Sequence, residues 1–280
     1  MVKQRQILKE AKNVKTWEEL AIEDDFLFQK VMENQDICQH FLEKVLNRKI
    51  KNLKYYQNEK GVNLSPENKG VRFDILVETA DGVMIDVEMQ TSDKSQWLPK
   101  RTRYYQAMID LNTLAKGSSY KKLPESYIVF ICTFDPFDKS RKVYTFKNQC
   151  SEENFELGDG ATRIFYNTTG VIGKVDEDIE NFLNYIETKK VNGTFAKKVA
   201  AEVERLKAHD ALKLEYMSLF ARMTDARDEG REEGLEQGKI NTLLENIKSL
   251  ITKEGWSINK AFDVLGVTPE DRAIVEKNFQ

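Results

Sequence analysis

VRFDILVETADGVMIDVEMQ, residues 71–90, reads as two strands around a tight reversal. On the first, Val71, Phe73, Ile75 and Val77 alternate with Arg72, Asp74, Leu76 and Glu78. On the second, Val83, Ile85, Val87 and Met89 alternate with Met84, Asp86, Glu88 and Gln90. A period of two sets one group against a core and places the other, which carries the acids, on the opposite face. The reversal decides which acids meet. A two-residue Asp81-Gly82 loop would put Asp74 opposite Met89 and send the acids to different faces. A three-residue loop of Ala80, Asp81 and Gly82, with Gly82 left-handed, pairs Thr79 with Val83 and Asp74 with Glu88. The second register is expected, because it gathers the apolar residues on one face and the buried face selects register. Cβ atoms of such a pair lie about 4.5–5.5 Å apart. Two carboxylates at that range repel by roughly 3 kcal/mol at an effective dielectric of 20. A shared proton, a neighbouring Arg or Lys, or a divalent cation must offset this. With oxygen ligands only, that cation would be Mg²⁺ or Mn²⁺.

Composition narrows the chemistry. With 40% hydrophobic and 32% charged residues, the chain reads as globular and rich in surface helix. Its 280 residues allow one or two domains. A net charge of −3 means that any nucleic-acid surface must be local. One basic run, with Lys3, Arg5, Lys9, Lys12 and Lys15 against Glu10, is either a solvated helix or a DNA-contacting arm. The three cysteines, Cys38, Cys132 and Cys150, lack metal-like spacing. Only two histidines occur, so Ser-His-Asp, Cys-His and His-metal chemistries are disfavoured. No phosphate-binding or dinucleotide glycine motif is present. Carboxylate and metal chemistry remains. No membrane-length apolar run or signal peptide is seen, and a cytoplasmic location is expected.

Outward from the hairpin, residues 17–48 read as one or two helices, with Asp24-Asp25 near a helix start, where an Asp ordinarily caps or complements the dipole. Residues 58–69 form a loop. Pro99 suits the start of a helix over 100–116, with Tyr104, Met108, Leu111 and Ala115 on one stripe and Arg101 at its end. A buried Arg101 needs an anion, either Glu88 or Asp86 as a fixing salt bridge or a substrate phosphate; the two roles are compatible. Ser126–Phe134 is a continuous apolar run, as in a central strand covered on both faces. Shorter strands are expected at Val143–Phe146 and Arg163–Tyr166, a turn at Asp135–Asp138, and a closing helix at Asp176–Thr188. This order gives an α/β sandwich around one mixed sheet. Residues 1–190 are expected to form that domain and 191–280 a helical extension for packing, dimerisation or DNA contact. In the extension Leu212, Tyr216, Leu219 and Met223 make a seam, and a homodimer through these helices is one expectation. Gly230, Gly234 and Gly238 recur there as a weak helix, a hinge or a close-contact face. Two short helices around Gly266–Pro269 read as a helix-turn-helix, dimerisation or capping element.

Asp74 followed across a hairpin by Glu88-Met89-Gln90 resembles the PD-(D/E)XK nuclease superfamily, with Gln90 in place of the usual Lys. More specifically, the EMQ triplet precedes Leu98-Pro99-Lys100-Arg101-Thr102-Arg103-Tyr104-Tyr105, Gly117-x-x-Tyr120 and Ile131-Cys132-Thr133-Phe134-Asp135-Pro136-Phe137. In that order these segments are similar to the Rpn family of recombination-promoting nucleases, also labelled transposases. The similarity runs from about Asp24 to Gly170 and continues weakly into the tail. It implies a restriction-endonuclease-like mixed central sheet flanked by helices, and hydrolysis of DNA phosphodiester bonds. It also implies Mg²⁺ (or Mn²⁺) held by Asp74, Glu88 and the Met89 carbonyl, with Asp25 and Arg101 in support. Gln90 is neutral and cannot act as the base, so metal-lowered water pKa, Lys94 or Arg101 must supply the activation. Two alternatives stand beside this. One is a nuclease-fold protein that binds DNA or partners without turnover. The other is a transposase, against which the compact Asp74/Glu88 pair argues.

Overall fold

A computed structural model describes residues 15–56, 70–92 and 95–278. The basic run at Lys3–Lys12, the loop at 58–69 and Lys94 therefore lie outside the described residues. The chain divides into two compact units, Lys15–Lys213 and, among the described residues, Leu214–Asn278.

The first unit is built on a six-stranded sheet of order β1-β2-β3-β4-β6-β5. The strands are β1 (Leu53–Tyr56), β2 (Ile75–Thr79), β3 (Met84–Gln90), β4 (Ser126–Cys132), β5 (Val143–Phe146) and β6 (Ala161–Asn167). The hairpin has the three-residue register: Ile75 pairs with Val87, Leu76 with Asp86, and Glu78 with Met84. Thr79 N–H donates to the Val83 carbonyl at 2.9 Å, and Gly82 takes φ +86°, which the loop requires and which L side chains rarely adopt. β3, β4 and β6 run parallel, so β3 must reach β4 by a crossover, and α3 (Leu98–Thr113) supplies it.

That crossover changes the burial expected for the hairpin. The acid-bearing face of β3 is not solvated: α3 lays Leu98, Tyr105, Met108 and Ile109 over Leu76, Met84, Ile128 and Phe130. All seven residues of β3 are buried, Asp86 and Glu88 completely. The stripe of α3 also differs from the expected one. Tyr105, Met108 and Ile109 face the sheet, whereas Tyr104 and Leu111 are 38% and 58% exposed. β1 is a further strand, pairing with β2 at the sheet edge. There Lys54 and Tyr56 hold Glu78 at 3.0 and 2.6 Å.

The opposite face carries Ile75, Val77, Ile85, Val87, Val129, Ile131 and Ile164, all buried. The Tyr55 hydroxyl, in register with Val77, donates to the Met32 carbonyl and so brings α1 (Asp25–Met32) to this side. α2 (Gln35–Leu46), α4 (Glu177–Thr188) and α5 (Thr194–Lys207) complete the layer through Phe41, Phe182 and Phe195, whose rings meet edge-on or tilted. Asp176 caps α4 by accepting from Asp178 N–H. Asp135 closes its turn by accepting from Phe137 and Ser140 N–H and from the Tyr144 hydroxyl. The contact-defined division between the units falls after Lys213; the expected domain boundary lies at 190/191. α5 belongs to the first unit because it is amphipathic, burying Phe195, Val199, Val203 and Leu206.

From Leu214 onward α6 (Asp210–Glu254) belongs to the second unit, and it continues unbroken through Gly230, Gly234 and Gly238. A Cβ at any of the three would meet nothing within 4 Å, so close contact among the described residues does not explain them. Of the expected seam, Leu212, Tyr216 and Leu219 are half-buried and Met223 is 63% exposed. The end of α6 folds with α7 (Ile258–Leu265) and α8 (Pro269–Asn278) around Ile240, Ile247, Phe262, Val267 and Val275. Among the described residues, no helix is long and apolar enough to cross a membrane.

Candidate active site

The ladder between β2 and β3 stops at Ile75 and Val87. Odd-numbered residues of β3 point their N–H groups toward β2, so the next donor in line is Met89. A side chain takes it: Asp74 Oδ2 accepts from Met89 N–H at 3.0 Å. The Asp74 N–H in turn donates to Glu88 Oε1 at 2.8 Å. Asp74 and Glu88 are thus clasped across the hairpin, each through the other strand's backbone or side chain. In a strand both polar groups of a residue point the same way, so the Met89 carbonyl also faces the Asp74 side.

α3 supplies the cation. The Arg101 guanidinium donates to Glu88 Oε2 at 2.5 Å, to Gln90 Oε1 at 2.8 Å and to the Tyr105 hydroxyl at 2.8 Å. It lies 4.9 Å from the Tyr105 ring centre and 5.4 Å from that of Phe130, which fixes its plane. Of the two fixing partners open to Arg101, it takes Glu88. Gln90 turns its amide N–H₂ to the Ser92 carbonyl and hydroxyl, each at 2.9 Å. Its side chain therefore ties Arg101 to the chain after β3.

α1 contributes Asp25 and, one turn later, Gln29. Gln29 donates to Asp74 Oδ1 at 3.1 Å. Nothing in the sequence marks it except its i,i+4 spacing from Asp25. Asp24 instead closes its own turn, accepting from Ala21 N–H at 2.7 Å and from Lys15. Asp25 is exposed at its outer edge, yet lost hydration and then Asp24 push its pKa up, opposed by Arg101 and Arg72.

The electrostatics describe a cluster with more acid than base. Burial raises Asp74 to about 6, the Met89 N–H opposing and the Asp25 charge adding to the rise. Burial raises Glu88 as well, with Asp74 adding to it and Arg101 opposing. Asp86, two residues from Glu88 on the same face, is wholly buried, and neither carboxyl oxygen has a donor. Burial, then the Glu88 and Asp74 charges, drive it well above the ordinary carboxylate range. Since Arg101 sits on Glu88, the proton shared by this pair belongs on Asp86. Asp86→Asn is accordingly expected to stabilise the protein at pH 8, by at least the roughly 1.4 kcal/mol that one pKa unit represents, because an amide is neutral there without taking up a proton. A folded pKa raised above the ordinary value of 3.8 means stability present below that value and lost as pH rises. The gain should therefore vanish near pH 4. Urea unfolding across this range checks it, and a loss at pH 8 would show Asp86 to be charged and held.

Among the described residues, no three His, Cys, Asp or Glu side chains are already arranged around a metal position. The donor set nevertheless fits a hard divalent cation. It consists of oxygens, and each of the Asp74 and Glu88 carboxylates uses two of its roughly four acceptor sites on the hydrogen bonds above. The buried acids also outnumber the one guanidinium among them.

No curated protein and no solved structure matches this chain. A family model described as PD-(D/E)XK nuclease family transposase matches residues 23–229 and takes in α1, the hairpin, α3 and the whole sheet. The mixed six-stranded sheet flanked by helices agrees with that match, and the chain belongs to the PD-(D/E)XK nuclease family transposases.

Proposed function

We propose that this chain is a Mg²⁺-dependent (or Mn²⁺-dependent) DNA endonuclease that hydrolyses phosphodiester bonds in DNA recombination or mobile-element processes. The observation that carries the reading is the Asp74–Glu88 clasp in a buried cluster whose acid exceeds its base. Asp74, Glu88 and the Met89 carbonyl would hold the cation. When bound, it would lower the pKa of water and neutralise charge developing on the phosphate. The remaining work falls to side chains. Arg101 has five N–H donors and spends three on Glu88, Gln90 and Tyr105, leaving two for a phosphate oxygen. Gln90 aims Arg101 rather than moving a proton. Gln29 holds Asp74, and Asp25 adds negative charge at the rim. The DNA strand is the macromolecular partner, and the exposed part of α6 is proposed to pair two copies of the chain.

One observation favours a second reading, a nuclease fold that binds DNA without turnover. Gln90 brings no charge, and its amide is already engaged on both sides. A third reading, transposition, would join DNA ends rather than leave nicks. Incubating the chain with supercoiled plasmid and Mg²⁺ separates the three: nicks absent with EDTA are expected, intact plasmid supports binding alone, and joined ends support transposition. Cation binding has its own readout. Metal competes with protons for the carboxylates, and burial raises Asp74 to about 6, so the rise in melting temperature with Mn²⁺ should be larger at pH 8 than at pH 6. Equal shifts at both pH values would place the cation elsewhere.

A further inference from the structure

α3 does more than cover the sheet. Its exposed side opens with Trp97, 61% exposed at the N-cap, and reaches Tyr104, 38% exposed, seven residues on. Seven residues return to the same side of a helix, about 10 Å along its axis at 1.5 Å per residue. Lys100 stands between the two rings and Arg103 beside the second, both exposed. Neither takes part in a salt bridge among the described residues. The first turn of α3 has no acid. Asp110, the one acid on the helix, lies beyond this stretch and accepts from Gln106. Against a chain of net charge −3, this is a concentrated basic segment.

Exposed aromatics scattered singly need no explanation. Two on one helical row, interleaved with cations outside any salt bridge, match the chemistry of a nucleic-acid strand: flat rings for base faces and point charges for phosphates. The row is also continuous with the candidate site. Arg101 lies one residue past Lys100 on the same turn, and its guanidinium reaches Glu88.

We infer that the first two turns of α3 form a platform for a single DNA strand, with Trp97 and Tyr104 stacking on bases and Lys100 and Arg103 contacting the adjoining phosphates. This rests on the nuclease reading above and gives it a preference for DNA with unpaired bases at the scissile position, such as a supercoiled plasmid exposes where it opens locally. Base faces inside a duplex are already stacked and out of reach of a side chain. An intact duplex can offer this row its phosphates only.

The test is fluorescence anisotropy of the full-length protein in EDTA, with a labelled oligodeoxynucleotide as a single strand and as the blunt duplex of the same sequence. The wild type should prefer the single strand. Trp97→Ala, at a surface position where the melting temperature should not change, should weaken single-strand binding about tenfold, while Trp97→Phe retains most of it. Lys100→Ala with Arg103→Ala should flatten the dependence of log K on log salt by about 0.7 for each phosphate no longer neutralised. Unchanged affinity in Trp97→Ala overturns the platform, as does an equal weakening on single strand and duplex. Either result leaves the nuclease proposal intact, since that proposal is judged by metal-dependent nicking by the wild type.

Discussion

Glu88→Gln is expected to lower Mg²⁺-dependent plasmid nicking by roughly 10²–10⁴-fold. The magnitude follows from the several kcal/mol that a bound cation supplies to a developing phosphate charge, at 1.36 kcal/mol per tenfold in rate. The substitution is nearly isosteric. Its amide oxygen can still accept one of the bonds now made by the Asp74 N–H and Arg101. What disappears is the negative charge. The rise in melting temperature with Mn²⁺ should disappear with it, a readout independent of turnover. Glu78→Gln is the matched control. Glu78 shares the parity of Asp74 in the alternating sequence, yet its carboxylate is engaged by Lys54 and Tyr56 of the edge strand β1, so both nicking and the Mn²⁺ shift should survive. A Glu88→Gln protein that nicks at the wild-type rate would remove Glu88 from the chemistry and, with it, the proposed cation.

The part of this site legible in the sequence is the part set by local rules. Gly82 and the alternation of Val83, Ile85 and Val87 are enough to choose the hairpin register, because turn geometry and face burial both act within twenty residues. The family resemblance then singles out Asp74 and Glu88. What sequence does not supply depends on contacts between distant segments. Asp86 reads as a solvated acid until α3 is laid over its face, some twenty residues downstream. The phase of α3 differs from its apparent stripe because the helix is apolar on two sides: Leu98, Tyr105 and Ile109 against the sheet, Trp97, Tyr104 and Leu111 toward solvent. A helix of that kind has no single stripe to read. β1 is hidden in the sequence because four residues, two of them Tyr and one Lys, carry too short an alternation to stand out. Gln29 is an ordinary polar residue on α1, and only the approach of that helix to the end of β2 gives its amide a task. The glycines of α6 are continuous helix, and no contact among the described residues accounts for them.

Removing Arg101 should have the largest effect on stability. Arg101→Leu leaves a fully buried Glu88 carboxylate with only the Asp74 N–H, beside Asp86 and Asp74. Deleting one partner of a buried pair typically costs about 3–5 kcal/mol. Here the lower end applies at pH 8, because the Arg101 side chain is 36% exposed and Glu88 can escape by taking a proton. That escape fixes the pH dependence. Without the guanidinium the folded-state pKa of Glu88 rises further, so stability is retained below its ordinary value of 4.5 and lost as pH rises above it. Wild-type Glu88, itself raised to about 8, already holds its proton below that pH, so the variant binds one more proton in its folded state only above it. The deficit should therefore grow by up to about 1.4 kcal/mol per pH unit as pH rises above about 8. Arg101→Lys should fall between the two: it restores a charge beside Glu88 but cannot also reach Gln90 and Tyr105 with a planar fork. Both variants should lose nicking, since neither presents two spare N–H groups to a phosphate. Urea unfolding at pH 6.5, 8 and 9.5 decides the matter. A deficit independent of pH would mean that Arg101 serves the fold by packing on Tyr105 and Phe130, with its charge of no consequence to Glu88.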